Sequence, residues 1–516
     1  MSVGGGLSPA ANTRIFMVAG GAALPRHQRP GENEMALSLP HRWAPTARAH
    51  ALLAWAGEGR QRVRVPCGIV PEMKDAIVLA GGCVVDPAAG RDELADVLIV
   101  DGVIAAVGRG LGYPDGARVL PLAGRVVAPG FVDLHCHLRE PGQEHKETLR
   151  SGLAAAAAGG FTTVLCMPNT SPPLDTPEAV RWATRAAADV SPLRLRVIAA
   201  ISRGQRGDAL APLPELAAAG AVGFSDDGRP VWNDDVMRAA LRASSGLGLP
   251  LSLHEEDRAL AAGGVMNAGL VSQRLGLRGL PGVAEEAMIA RDLALLVEDG
   301  GRARAHIAHV STAGAVDLVR VAKRQGAPVS AEATPHHLTL TEDLVARPWD
   351  GRAYDTRTKV NPPLRTADDV AAVVAGLADG TIAAIATDHA PHALADKRCR
   401  YEDAAFGISL FETALGSVLG LVHEGRLALP TLIERLTVGP ARLFRLDVGT
   451  LAPGARADVV VFDPDEEWTV DAAAFLSRGK NTPLDGTRLR GRVLLTLAGG
   501  VEAYRAAGFA PERGTV

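Results

Sequence analysis

The chain is short of cysteine, of long apolar runs and of any dominant sign of charge. Its five cysteines, Cys67, Cys83, Cys136, Cys166 and Cys399, are scattered over 516 residues without paired spacing. That excludes a disulfide framework and fits a reducing compartment, so a cytoplasmic location is expected. No uninterrupted apolar segment reaches ~20 residues, so no membrane span is expected. The N-terminus lacks the basic-then-apolar order of a secretory signal. With 54 basic and 58 acidic residues the net charge is −4. There is no broad basic field, and nucleic acid is not an expected partner. Lysine is scarce beside arginine, which we read, with the abundant alanine and glycine, as genomic bias.

What remains is ordinary globular material: 47% apolar and 22% charged residues, in a chain long enough for more than one domain. Residues 1–72 stand apart. They carry Gly, Pro and Arg with little periodicity, as in Leu24-Pro25-Arg26-His27, and read as a disordered extension or as one that a mis-assigned start adds. A regular pattern begins near Met73, which is the expected true start of the chain, with Met17 and Met35 as other candidate starts. From there Ala76–Ala80 and Asp96–Val100 read as short strands, the second followed by an Asp101-Gly102 turn. Short strands return after about residue 447, at Ala457–Phe462 and Gly491–Leu497. We expect the segments 73–127 and 447–505 to form one small β domain split across the chain, with 506–516 as a tail.

Between them, over 128–446, apolar strand-like runs alternate with helical stretches such as Ala284–Leu296 and Ala313–Arg324. The alternation predicts an α/β fold, a (β/α)8 TIM barrel of parallel strands joined by crossover helices. The eight candidates are Gly130–His137, Phe161–Asn169, Leu193–Ser202, Ala221–Asp227, Pro250–His254, Ala303–Ser311, Pro328–His336 and Ile382–His389.

The first of these carries the most information. Its apolar run ends in His135-Cys136-His137. Side chains alternate along a strand, so both imidazoles face the same way and make half a site for a divalent metal. The plain alternative is a pair of exposed histidines at a strand end. The other strands decide between the two, because active-site groups of such a barrel belong at the C-terminal strand ends. Strand four ends in Ser225-Asp226-Asp227-Gly228, strand five in His254-Glu255-Glu256, strand six in His309 and strand eight in Asp388-His389. Four histidines and two carboxylates from five strands point to one metal centre.

These motifs, taken together, resemble the amidohydrolase superfamily and, within it, the class I dihydroorotases. The matching residues are Asp133-Leu134-His135-Cys136-His137-Leu138-Arg139-Glu140-Pro141-Gly142, Met167-Pro168-Asn169-Thr170, Phe224-Ser225-Asp226-Asp227-Gly228 and His309-Val310-Ser311-Thr312. Further along come Thr334-Pro335-His336-His337, Lys359-Val360-Asn361-Pro362-Pro363-Leu364-Arg365 and Thr387-Asp388-His389-Ala390-Pro391-His392. The resemblance covers about residues 74–505. It implies a TIM barrel with a smaller β-sandwich domain built from the flanks, one or two zinc ions, and reversible cyclisation of N-carbamoyl-L-aspartate to dihydroorotate in pyrimidine biosynthesis.

It also implies roles. His135, His137 and Asp388 would hold one metal, and His254 and His309 a second. Asp227 would bridge them where many relatives use a carboxylated lysine; the residue chemistry alone leaves Asp226 and Asp227 open. Asp388 would in addition shuttle the proton. His137, Arg139, Asn169, Asn361, His392 and the Phe406-Gly407 backbone match substrate-binding positions, with Arg139 gripping a carboxylate. Ala405 departs from the proline that many relatives carry before Phe-Gly. His306, His336, His337 and His389 are expected outside the metal shell. The segment Thr341–Thr358 is expected to be a mobile lid. The partners implied are a small-molecule substrate, aspartate carbamoyltransferase and a second copy of the chain. Competing readings are a hydantoinase, dihydropyrimidinase or allantoinase, and a non-catalytic dihydroorotase-like subunit; the presence of all six ligands speaks against the last.

Overall fold

The computed structural model describes residues 75–509. The expectations for residues 1–72 and for most of the 506–516 tail lie outside them. Eighteen strands follow in order: β1 (Ala76–Asp86), β2 (Arg91–Val100), β3 (Val103–Gly108), β4 (Arg118–Pro121), β5 (Val126–Pro129), β6 (Phe131–Cys136), β7 (Phe161–Cys166), β8 (Arg194–Ala199) and β9 (Ala221–Phe224). They continue with β10 (Leu251–Leu253), β11 (Met266–Asn267), β12 (Gly279–Leu280), β13 (Ala305–Ile307), β14 (Val329–Ala333), β15 (Ala384–Ile385), β16 (Val459–Thr469), β17 (Arg488–Ala498) and β18 (Val501–Arg505).

Eight of these run parallel in the order β6-β7-β8-β9-β10-β13-β14-β15. Each lies within one of the eight runs marked in the sequence. The sheet curls until its ends meet. The His137 N–H donates to the His389 carbonyl at 2.9 Å, and Cys136 bridges to His389. Buried Asp133 reinforces the seam by accepting from the Thr387 N–H at 2.6 Å and its hydroxyl at 2.8 Å. The result is a TIM barrel. Its crossover helices are punctuated as their sequences demand. Thr176, Thr312 and Thr366 side chains cap the helices Pro177–Ala188, Ala313–Arg324 and Ala367–Asp379. The helix Val283–Glu298 overlays the predicted Ala284–Leu296. An excursion not foreseen in the sequence, carrying the small β11-β12 pair, lies between β10 and that helix.

The flanks form a second, mixed sheet, ordered β18-β17-β16-β5-β1-β2-β3 with β4 on β1. Antiparallel pairing of β5 with β16, Val127 opposite Val461, joins the two ends of the chain. One face packs Leu79, Val97, Ile99, Val127, Val459, Val461, Leu495 and Leu497 into a core. The turn after β2 is the predicted Asp101-Gly102, both residues at positive φ as a two-residue hairpin of this hand requires. Gly102 also has no room for a side chain, since a Cβ there would press on the Gly499 carbonyl.

The segment Thr341–Thr358 differs from the expected mobile lid. The Tyr354 hydroxyl donates to the Leu275 carbonyl at 2.7 Å, the Thr356 hydroxyl to the Lys397 carbonyl at 2.6 Å, and Val345, Asp355 and Thr358 are buried. Asp343 and the turn over residues 347–353, with Pro348, Asp350 and Gly351, carry the exposed positions. A polar, Gly- and Pro-bearing stretch looks like a free loop in sequence, but here its hydroxyl bonds and a few buried side chains hold it against the rest of the fold.

Candidate metal centre

The regular strands end just short of the chemistry. β9 stops at Phe224 and β13 at Ile307, with single backbone bonds beyond them, Ser225 N–H to Ala199 O and Val310 N–H to Glu332 O, both 2.9 Å, so Asp227 and His309 stand just past the strand ends. Three residues of the site region, Arg139, His309 and Asp388, adopt positive φ (62°, 34° and 46°). Non-glycine residues reach that region at a cost, and such strain collects at functional sites.

Asp227 sits among the imidazoles. Its Oδ1 lies 3.2 Å from His135 Nε2, 3.6 Å from His254 Nδ1 and 3.5 Å from His309 Nε2. Its Oδ2 lies 3.4 Å from His137 Nε2. Asp388 Oδ1 approaches His137 Nε2 at 3.0 Å and His135 Nε2 at 3.6 Å. His254 Nδ1 and His309 Nε2 face each other at 2.9 Å. Two groups thus have metal-holding proximity: His135, His137 and Asp227, and Asp227, His254 and His309. Asp226 is committed elsewhere. It accepts from the Ile201 and Ser202 N–H groups and from the Ser202 hydroxyl. Adjacent acids point to opposite sides, and Asp227 is the one turned inward.

The donor set fits a divalent cation. His135 Nε2 and Asp227 Oδ1, both facing the centre, are buried polar atoms without a hydrogen-bond partner. Leaving such groups bare is costly. Imidazole nitrogen with carboxylate oxygen suits zinc and its neighbours among the transition metals. The local field agrees. Burial opposes protonation of His135, yet Asp227, Glu332 and Asp388 raise its pKa well above the ordinary value. Burial likewise opposes charge on Asp388, but hydrogen bonding to His137 and the surrounding imidazoles hold its carboxyl below the usual range. The site favours positive charge at its centre.

A residue that the sequence reading missed, Glu332, orients His135. The His135 Nδ1–H donates to Glu332 Oε1 at 2.9 Å, which turns Nε2 toward the site. The other oxygen, Oε2, lies 3.0 Å from His306 Nε2, and His306 Nδ1 lies 2.8 Å from the Ser330 hydroxyl. Burial would raise the Glu332 carboxyl, but the bonds to His135 and His306 bring it down to about 2. The available signal was a lone acid in the apolar strand Val329-Ser330-Ala331-Glu332-Ala333. His306, His336, His337 and His389 are in neither of the two groups, and neither is Asp388.

The remaining predicted residues gather beside this centre, with different degrees of freedom. Asn169 accepts the His137 Nδ1–H at 2.8 Å, so it fixes that ring. Asn361 Nδ2 donates to Glu256 at 2.7 Å and lies 3.5 Å from His254 Nε2. Arg139 is buried, and its Nε donates to the Pro391 carbonyl at 3.2 Å. Among the described residues no carboxylate lies within ion-pair distance of it. Burial lowers its pKa, to about 10, which leaves it charged at neutral pH. His392 is neutral. Burial and then the cations Arg139, Lys397 and Lys146 hold its pKa well below the ordinary value. Its Nδ1 accepts from Lys146 at 3.3 Å, and its Nε2–H donates to the Phe406 carbonyl at 2.8 Å. The Phe406-Gly407 backbone has further protein partners, since Gly407 N–H donates to Lys359 O and Gly407 O accepts from Asn481. The turn before it needs no proline. Buried Lys397 donates to the carbonyls of Ala405 (2.6 Å), Lys359 (3.1 Å) and Thr356 (3.2 Å).

A closed parallel barrel with imidazoles and carboxylates at its C-terminal strand ends defines the class: a TIM-barrel hydrolase of the amidohydrolase type. Solved structures agree. The L-hydantoinase (dihydropyrimidinase) of Arthrobacter aurescens superposes with a TM-score of 0.72 at 26% identity, over 83% of this chain and 95% of that one. A D-hydantoinase from a Thermus species shares the fold, with a TM-score of 0.71 at 24% identity over 85% and 97% of the two chains.

Sequence relatives narrow the class. A family model described as dihydro-orotase-like matches residues 124–315. A dihydroorotase of Anaeromyxobacter dehalogenans is 52% identical over 428 residues, 83% of this chain and 98% of the relative. One of Syntrophus aciditrophicus is 48% identical over 83% of this chain and 99% of its own length. The chain belongs to the dihydroorotase family.

Proposed function

We propose that the protein is a working dihydroorotase, interconverting N-carbamoyl-L-aspartate and (S)-dihydroorotate plus water in pyrimidine biosynthesis. The observation that carries this reading is the buried Arg139 guanidinium beside the metal-ligand cluster, which has no carboxylate partner of its own. A planar fork of that kind fits a substrate carboxylate. Dihydroorotate has one; hydantoin and dihydrouracil do not. Family membership at about half identity supports the same reaction.

His135, His137 and Asp388 would hold one cation, and His254 and His309 a second where two bind, with Asp227 shared. Zinc, one or two ions per chain, suits the donors. When bound, the cation lowers the pKa of a water toward neutrality and polarises the ring amide carbonyl. Asp388 takes the proton of the attacking water and returns it to the leaving ring nitrogen, base then acid in one cycle. Its place beside His137 Nε2 suits a carboxylate that must be ionised to begin. Arg139 holds the substrate carboxylate, while His137, Asn169, Asn361, His392 and the Phe406-Gly407 turn line the remainder of the site. Asn169 does so partly through His137, and His392 as a neutral imidazole. The barrel spans 128–446, and the small β domain combines 73–127 and 447–505. Among the described residues no helix is long and apolar enough to cross a membrane. The cytoplasm is the proposed location, with association to aspartate carbamoyltransferase and a homodimer as the proposed assemblies.

The likeness to hydantoinase structures favours a second reading, a carboxylate-independent cyclic amidase. Rates on dihydroorotate, dihydrouracil and hydantoin separate the two. We expect dihydroorotate to be strongly preferred, and His135→Ala to lose both turnover and metal. Equal turnover of dihydrouracil would overturn the assignment, and undiminished activity of His135→Ala would remove the metal centre from it.

A further inference from the structure

The segment between β16 and β17 does not stay with the small sheet. Residues 475–484 run across to the barrel and pack behind the loops that carry His392 and Phe406-Gly407. Asn481 is only 3% exposed and commits its whole side-chain amide there. Its Oδ1 accepts the His392 N–H at 2.9 Å and the Ser409 hydroxyl at 2.9 Å. Its Nδ2 donates to the Ala390 carbonyl at 3.0 Å and the Gly407 carbonyl at 3.0 Å. An asparagine amide has two acceptor and two donor positions, so nothing is left over. Its backbone carbonyl also takes the Ser409 N–H, at 3.1 Å. The approach is close. A Cβ at Gly479 would collide with Pro391 and with the Ser409 hydroxyl.

We propose that Asn481 is a positioning residue for substrate binding. It ties the strand-eight loop (Ala390, His392) to the turn at Gly407 and so sets the spacing between two walls of the substrate site. It touches no substrate itself. The two loops also meet directly, through the Ala390 N–H to the Ile408 carbonyl at 2.9 Å and the His392 ring to the Phe406 carbonyl at 2.8 Å, and Asn481 adds a side chain from a third segment that bonds to both. The metal ligands are not among its partners, so its effect falls on binding of the organic substrate. The inference rests on the dihydroorotase reading, since His392 and the Phe406-Gly407 turn are substrate groups only in that reading.

The test uses the full-length, metal-loaded protein and the variants Asn481→Ala and Gly479→Ala. The first removes the amide, and the second pushes the segment away while keeping every hydrogen-bonding group. Both should raise KM for dihydroorotate by ~10-fold or more while kcat stays within about threefold, because misplacement of binding groups is felt in affinity. Metal content should equal that of the wild type. Should Asn481→Ala fail to fold, Asn481→Ser carries the same measurement with one hydroxyl restored. An unchanged KM in a folded Asn481 variant overturns the proposal, as does a loss of kcat and metal with KM intact. Wild-type protein that does not turn over dihydroorotate fails differently, by removing the functional reading beneath it.

Discussion

Glu332→Gln keeps the shape of the side chain that backs His135 and removes its charge. In the native protein the His135 Nδ1–H donates to a fully buried carboxylate at 2.9 Å, and the second oxygen lies 3.0 Å from His306. Glutamine retains one acceptor for His135, but the bond becomes neutral. A charge-assisted bond contributes about 1.5–3 kcal/mol and a neutral one about 0.5–1.5, so the bond alone weakens by about 1–1.5 kcal/mol. His135 Nε2 also becomes a poorer donor to a metal, because the proton on Nδ1 is no longer drawn toward an anion. Together these should weaken metal affinity by about 10- to 100-fold, about 1.4–2.8 kcal/mol. His306 can adapt to the new amide by switching tautomer against Ser330, which keeps the fold intact. Competition for Zn2+ between the apo-protein and a chromogenic chelator measures the affinity directly, without reference to turnover. An affinity within twofold of wild type in folded Glu332→Gln, alongside loss of binding in a His135→Gln control, would refute the orienting role.

Three further outcomes are expected. Arg139→Lys keeps the positive charge but loses the bidentate fork, so KM for dihydroorotate should rise about tenfold or more with smaller change in kcat; steady-state kinetics would show it, and an unchanged KM would remove the carboxylate from that residue. Asp388→Asn should abolish turnover while most metal is retained; metal lost in proportion to activity, measured by elemental analysis, would make its role mainly that of a ligand. Burial raises the Glu412 carboxyl to about 7 from 4.5, partly offset by the backbone N–H groups of Ser477 and Leu476. The folded pKa is the higher one, so its contribution to stability is complete below about pH 4.5 and is lost as pH rises through about 7. Glu412→Gln should therefore be more stable than wild type at pH 8, by at most roughly 3 kcal/mol, and no more stable at pH 4. Thermal unfolding across that range that runs parallel for the two proteins would contradict this.

The barrel was legible because each strand is an apolar run bounded by turn residues and each crossover helix keeps its own period. The helix Val283–Glu298 illustrates it, found within two residues of its predicted ends. Less legible was where each strand stops pairing. The marked runs continue to Asp227 and Ser311, yet β9 and β13 stop at Phe224 and Ile307, with only single backbone bonds beyond, such as Ser225 N–H to Ala199 O. That is why the choice between Asp226 and Asp227 needed three dimensions; it depends on which side of a departing strand each acid faces. Glu332 was hidden for another reason. Its meaning lies in His135, 197 residues away, and nothing local marks the pairing. Asn481 is the same case at shorter range, 89 residues from His392, since its partners belong to loops of another sheet. The Thr341–Thr358 segment shows the converse error, where composition suggested freedom and a few buried side chains impose order.

The antiparallel pairing of β5 with β16 has a consequence for biosynthesis. The barrel strands are complete once β15 has left the ribosome, but β1 to β5 then wait with an open sheet edge until the final strands arrive. Partners so far apart in sequence close slowly. The loops around His392 and Gly407 are settled by Asn481, which arrives in that same final stretch. A truncated nascent chain therefore carries all six candidate metal ligands and an unfinished substrate pocket. If Asn481 positions those loops, substrate recognition would be completed only with the end of synthesis.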